Sequence, residues 1–351
     1  MKQHLLILFG GRSSEHDISL KSAANVARAV DTERYDLLLA GITKEGCWHL
    51  ADGIASISDG TYEQGPACML SADTSKKCLY VFGENGSYET VPVDVIFPVL
   101  HGLYGEDGTV QGLFELSGIP YVGPGVLASA VSMDKVYTKV IVDRLHIRQA
   151  AYIWVGRGEL EDMDRTVEKI ERKLAYPVFV KPSCAGSSIG VNQAFDRKSL
   201  EAALKAAAVH DAKILIEETI VGRELETAVF ESGGEVTVSG VGEILSAAEF
   251  YDFDAKYNNA ESKTVVDPIL PDPVREELRK DAEMIFRAVG ACGLSRVDFF
   301  LDEKGVVFNE INTLPGFTAI SMYPMLMEQI GIGKRELVQR LIDSAYHRNE
   351  H

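Results

Sequence analysis

Asp298, Glu310 and Asn312 stand in two β-patterned runs, SRVDFFL (295–301) and GVVFNEIN (305–312), separated by a Glu-Lys-Gly turn. A hairpin with the three-residue loop Glu303-Lys304-Gly305 would put glycine at the left-handed position that such loops prefer. In that register Asp298 lies opposite Glu310 and Arg296 opposite Asn312. Alternate residues of a strand share a face, so all four side chains project together. Directly opposed carboxylates, with Cβ atoms roughly 5 Å apart, repel unless a cation sits between them. Two carboxylates and an amide form an all-oxygen set that suits magnesium, which takes few protein ligands and completes its shell with water and phosphate. A solvated face on an exposed hairpin is the plainer reading for a lone Asp or Glu. The strongly apolar flanks and the unusual turn that follows, NTLPGFT, favour the metal.

A second stretch, KPSCAGSSIGV (181–191), contains Gly-Ser-Ser-Ile-Gly and so matches the G-x-S-x-G of a hydrolase nucleophile elbow at Ser188. An elbow needs a strand before the serine and a helix directly after it. Here YPVFV supplies the strand, but IGVNQAF is again β-like. No Asp and His follow in the order an α/β-hydrolase requires. A glycine-rich turn between two strands is suited instead to clamp phosphates with backbone amides, Lys181 adding a point charge.

The elements that must position these groups follow from pattern and composition. The chain has 351 residues, 46% hydrophobic and 25% charged, enough for two or three domains. Its net charge of −17 repels phosphate and so disfavours non-specific binding to nucleic acid or an anionic membrane. Five cysteines with no Cys-x-x-Cys or Cys/His spacing suggest neither a disulfide framework nor zinc. With no apolar run long enough for a signal or a membrane span, the protein is expected in the cytoplasm.

Apolar runs at residues 4–9, 36–42 and 93–99, with a helical pattern over 18–30, predict βαβ units on a parallel sheet. GGRSSEHDIS and HGLYGEDGTVQG follow such strands, where open α/β sheets place ligands. After the punctuation VGPGVLAS a helix runs through 133–145. YPVFVKP, VNQAF and AKILIEETI read as strands, with a helix capped by Asp196 between the last two. A further helix spans 273–289. The expected units are 1–124, 125–216 and 217–351.

Lysine opening a glycine-rich loop, paired acids in IEE, and a carboxylate/Asn hairpin resemble the ATP-grasp superfamily. The blocks FGGRSSEHDISLKS, HGLYGEDGTVQGLFELSGIPYVG, SAVSMDK, VKPSCAGSSIGV, FYDFDAKY and RVDFFLDEKGVVFNEINTLPGFTAISMYP, in that order, resemble the D-alanine:D-alanine ligase family from about residue 5 to the end. The fold this implies is α/β ATP-grasp: an N-terminal parallel α/β domain, then two α+β subdomains that clamp ATP. The implied reaction joins two D-alanine molecules through an acyl phosphate at the expense of ATP, for peptidoglycan.

Residue by residue, the resemblance implies that Lys135 and Lys181 hold the α- and β-phosphates and that Glu217 and Glu224 serve the adenine and ribose. Asp298, Glu310 and Asn312 would carry two Mg2+, with Mn2+ also suited, and Arg296 and the Gly316 N–H would stabilise the oxyanion. Glu15 would pair with the ammonium of the first D-alanine near His101, and Ser321 would bind the carboxylate of the second. Lys256 would reach the γ-phosphate, while Tyr257 links Ser187 and Glu15 over the substrates, so that Ser187 orients rather than attacks. His16 and Cys184 receive no role. A homodimer is expected from the resemblance alone.

Tyr257 disfavours a D-lactate-using relative, whereas D-serine as acceptor differs by one hydroxyl and stays open. A nucleotide-binding relative without catalysis is opposed by the intact Arg296, Asp298, Glu310 and Asn312. A dinucleotide-dependent dehydrogenase is opposed by GGRSSE, which lacks the G-x-G-x-x-G spacing.

Overall fold

The computed structural model describes residues 2–186, 189–245 and 263–348. β1 (Gln3–Gly10), α1 (His16–Ala29) and β2 (Tyr35–Ile42) form the first βαβ unit, the two strands pairing in parallel. Leu5 to Phe9 are all fully buried, as a strand covered on both faces must be. β3 (Trp48–Ala51) pairs antiparallel with β2, and α2 (Ile54–Asp59) follows. A separate antiparallel sheet then forms from β4 (Cys68–Leu70), β5 (Cys78–Phe82) and β6 (Tyr88–Pro92). The sequence reading did not anticipate it, because its strands are short and β6 is largely exposed, which weakens any alternation. β7 (Val95–Leu100) returns parallel to β1, giving the order β3-β2-β1-β7.

α3 (Thr109–Ser117) leads to a pair of helices where one was expected over 133–145: α4 (Val126–Met133) and α5 (Lys135–Leu145). The break is Asp134, whose extended backbone is stabilised by its own carboxylate accepting from the N–H groups of Val136 (3.1 Å) and Tyr137 (3.3 Å).

The middle of the chain holds β8 (Tyr152–Gly156), α6 (Met163–Glu171), β9 (Val178–Pro182), β10 (Asn192–Ala194), α7 (Arg197–His210) and β11 (Lys213–Glu218), an antiparallel sheet in the order β10-β9-β11-β8. Asp196 caps α7 as expected, accepting from Ser199 N–H at 2.7 Å. Because β10 runs antiparallel to β9, the glycine-rich stretch joins two strands and opens no helix, which removes the nucleophile-elbow context.

β12 (Arg223–Ser232), β13 (Glu235–Leu245), β14 (Lys263–Val266), α8 (Asp272–Ala288), β15 (Leu294–Asp302) and β16 (Gly305–Asn312) complete a five-stranded sheet, β14-β13-β12-β15-β16, covered by Leu278, Ala282, Ile285 and Phe286 of α8. α9 (Met322–Gln329) and α10 (Lys334–Ala345) then carry the chain back to the start: Leu337, Leu341 and Ile342 share one core with Ile7, Phe9 and Val26. The segment after β16 is thereby anchored against the first sheet.

Candidate active site

The hairpin pairs Arg296 with Asn312 and Asp298 with Glu310. The connection is a residue shorter than expected: Gly305 pairs with Asp302, leaving Glu303 and Lys304 as the loop. A bulge between Asp298 and Phe299 takes up the difference, so the expected partners meet beyond it. Arg296 grips Asp298 with Nε on Oδ1 and Nη2 on Oδ2, both at 2.7 Å, and Asn312 Nδ2 donates to Asp298 Oδ2 at 2.9 Å. On the other side β12 places Glu226 in register with Asp298, with its Oε2 3.2 Å from Arg296 Nε. Burial opposes the charge on Arg296, but Asp298 and Glu226 outweigh it and keep the guanidinium firmly protonated.

Lys135, at the start of α5, bridges toward this hairpin: its Nζ donates to Ala185 O at 3.0 Å and lies 3.7 Å from Glu310 Oε2. One short segment therefore ties the glycine-rich turn to the carboxylate face. Asp134 steadies it, accepting from Ser183 Oγ at 2.6 Å and pairing with Lys213. Lys181 Nζ rests 2.7 Å from Glu217 Oε2, and the other oxygen of Glu217 meets Lys139 Nζ at 2.6 Å. Burial raises the Glu217 pKa, yet the two lysines win and hold it at about 2. Lys181 is raised despite burial by Glu217, with Glu310 and Glu224 adding to the effect. Lys181 thus feels three of the four carboxylates that the resemblance puts around the nucleotide and its metal, Glu217, Glu224 and Glu310.

Glu15, 7% exposed, precedes α1 and lies against two glycines from different parts of the chain. A Cβ on Gly102 would come within 2.7 Å of Glu15 Oε2, and one on Gly186 within 2.9 Å. Bare backbone lets the glycine-rich turn close on the first domain there. His101 is spoken for internally: Nδ1 bonds Leu314 O at 2.9 Å and Nε2 bonds Ser22 Oγ at 3.2 Å, while Phe317 N–H donates to that same hydroxyl at 3.1 Å. It therefore fixes the 314–317 turn in place. In that turn a Cβ on Gly316 would come within 2.9 Å of Ser321 Oγ, which accepts from Thr318 N–H at 2.9 Å.

His16 also has a structural occupation, Nδ1 to Gly11 O at 2.9 Å and Nε2 to Tyr62 Oη at 3.2 Å. Ser187, Lys256 and Tyr257 lie outside the described residues.

Three groups escaped sequence reasoning. Lys139 lies one helical turn beyond Lys135, a spacing that could have flagged it. Glu226 shares a strand face with Glu224 but needs the β12–β15 pairing to be seen. Glu106, in GEDG, accepts from the N–H groups of Gly102 (2.8 Å) and Leu314 (2.9 Å), linking loops far apart in sequence.

Asp298 and Glu310 supply carboxylates and Asn312 an amide, and with Glu226 the cluster sets three acids against the cations Arg296 and Lys135. Among the described residues no group of three or more His, Cys, Asp or Glu side chains makes a metal cage by itself. A site that holds a hard divalent ion jointly with phosphate oxygens fits that donor set.

The family model described as "D-ala D-ala ligase N-terminus" matches residues 4–124, and "D-ala D-ala ligase C-terminus" matches 141–343. The D-alanine--D-alanine ligase of Acetivibrio thermocellus is 47% identical over 99% of this chain and 96% of its own, and that of Caldicellulosiruptor bescii 45% identical over the same shares. Among solved structures, the VanG D-Ala:D-Ser ligase from Enterococcus faecalis superposes with a TM-score of 0.89 at 35% identity, covering 98% of this chain and 100% of that one. The D-alanine-D-alanine ligase from Coxiella burnetii gives 0.85 at 30% identity, covering 99% and 95%. By these matches over nearly the whole chain, it belongs to the D-Ala-D-Ala ligase family and has its ATP-grasp fold.

Proposed function

We propose that this protein joins two D-alanine molecules, using ATP, to give D-alanyl-D-alanine, ADP and phosphate for peptidoglycan synthesis. The observation that carries this reading is that Lys135 and Lys181 both act on Glu310 of the Asp298/Glu310/Asn312 face, while Lys135 also bonds the glycine-rich turn, whose Gly186 lies against Glu15. A carboxylate oxygen of the first D-alanine attacks the γ-phosphorus and ADP leaves. The amine of the second then attacks the acyl carbon, loses a proton, and expels inorganic phosphate.

Lys135 and Lys181 orient the phosphates, Glu217 and Glu224 stand at the adenine and ribose end, and Lys256 reaches the γ-phosphate. Two Mg2+, with Mn2+ as a substitute, would be held by Asp298, Glu310 and Asn312 and would neutralise charge on the transferred group. Arg296 and the Gly316 N–H face the oxyanion, and preorganisation by Asp298 and Glu226 means Arg296 need not reorient as charge develops. Glu15 pairs with the first ammonium, Ser321 with the second carboxylate, and Ser187 and Tyr257 complete the network over both. The His101 bonds to Leu314 and Ser22 keep the Gly316 turn against this end. A cytoplasmic homodimer is the expected form.

The similarity to a D-Ala:D-Ser ligase favours D-serine as the second acceptor to test. Phosphate release with Mg-ATP is to be measured with D-alanine alone, D-alanine plus D-serine, D-alanine plus D-lactate, and L-alanine, with products weighed by mass spectrometry. D-alanyl-D-alanine as the main product is expected. A predominantly mixed D-Ala-D-Ser product moves the assignment to that acceptor, and turnover independent of D-amino acids refutes both.

A further inference from the structure

Glu217 is 5% exposed, and each of its carboxylate oxygens carries a different lysine. The two lysines are not equivalent. Lys139 is 2% exposed; it sits on α5 inside the protein, 5.1 Å from the Tyr152 ring centroid, with Gln149 Oε1 and Ala150 O each at 3.5 Å. Lys181 has 19% of its side chain exposed at the mouth of the glycine-rich turn and feels Glu310 and Glu224 as well. A buried carboxylate needs a cation at all times, because an unpaired charge removed from water is strongly unfavourable. If Lys181 were the only partner of Glu217, moving its ammonium onto a phosphate oxygen would strand that charge.

We infer that Lys139 is a positioning residue for ATP: it holds Glu217 ionised and in place through the 2.6 Å pair, so that Lys181 is free to transfer from Glu217 to the nucleotide phosphates. With Lys139 on its other oxygen, Glu217 keeps a cation when Lys181 moves. Lys139 itself touches no phosphate; it acts through Glu217. This inference rests on the ATP-binding role proposed above for Lys181.

The test is a double-mutant cycle read by calorimetric titration of Mg-ATP without amino acid, alongside steady-state kinetics. Lys139→Met is expected to weaken ATP binding and raise its KM by about tenfold to a hundredfold, the scale set by leaving a buried carboxylate short of a partner. Its KM for D-alanine should stay within about threefold, and Lys139→Arg should recover most of the ATP affinity. In a Glu217→Gln background the charge that needs Lys139 is gone, so adding Lys139→Met should change ATP affinity by less than about threefold.

Should Lys139→Met alone fail to fold, the comparison of Glu217→Gln with the double variant still decides, since that double removes both charges together. Equal ATP affinities there support the inference. A further loss of tenfold or more, an unchanged ATP KM in Lys139→Met, or an equal rise in every KM overturns it. Because ATP binding is read without acceptor, failure of the ligase reading itself would be seen separately, as wild-type protein that binds ATP but does not turn over with D-alanine.

Discussion

Arg296, proposed above to face the oxyanion, is a side chain that its neighbours hold fixed. Its guanidinium is planar and presents parallel donors, so Asp298 accepts two bonds at once while Glu226 Oε2 adds an ion-pair contact 3.2 Å from the same Nε. A lysine would carry the charge without the fork. Arg296→Lys is expected to lower kcat about a hundredfold or more, with the ATP KM changed by less than about fivefold, because the proposed contact is to the oxyanion and not to the nucleotide. Steady-state kinetics on folded variant checks this; a kcat within threefold of wild type would remove Arg296 from the mechanism. Legibility at this scale was high for the hairpin, where alternation with a three-residue loop puts Arg296, Asp298, Glu310 and Asn312 on one face, a pairing the structure reaches through a shorter loop and a bulge. It was poor for Glu226, whose relation to Asp298 exists only across a pairing between strands some seventy residues apart.

At the scale of elements, the helix break at Asp134 decides where Lys135 points. A single helix through 133–145 would carry Lys135 around the helix surface, whereas a fresh N-terminus presents it beside Ala185 O and Glu310. Asp134 does this by capping α5, accepting from Ser183 and pairing with Lys213. Burial works against its charge, but the Lys213 and Ser183 contacts prevail and its pKa is lowered. Asp134→Ala should therefore destabilise the protein by about 2 kcal/mol, the upper end for a lost N-cap, and raise the ATP KM severalfold. Chemical denaturation and ATP titration together test it, and unchanged values for both would show that the break does not depend on the cap. The pattern of apolar residues made a helix here foreseeable. The break was not, since an Asp between two apolar helical runs looks from sequence like an ordinary exposed position.

Across the whole molecule, Glu106 links the first sheet to the turn that follows the last strand. It sits near Glu15 and accepts from Gly102 and from Leu314. Removal from water raises its pKa most, Glu15 adds to this, and the backbone N–H bonds and Arg296 pull it down, the net lying at about 7. An acid whose folded pKa lies above its unfolded one binds more protons when folded, so its contribution falls as pH rises from about 4.5 to about 7. Glu106→Gln is expected to flatten the stability profile in that window by about 2 kcal/mol relative to wild type. Thermal melting of both proteins at intervals between about pH 5 and pH 7.5 measures it. Parallel profiles would show that Glu106 titrates at its ordinary value.

Local order determined much of this protein. The alternation in 295–312 set which residues of each hairpin strand share a face, the apolar run at 4–9 set a strand buried on both sides, and Asp196 set the start of a helix, because each depends on residues within a turn or two of one another. Only the tertiary structure decided that Lys139 and Lys181 share Glu217, that Glu15 meets Gly186, that His101 fastens the Gly316 turn, and that α10 returns to the core of β1. These relations cross tens to hundreds of residues, and a buried charge finds its partner by packing, which leaves no period in the sequence to read.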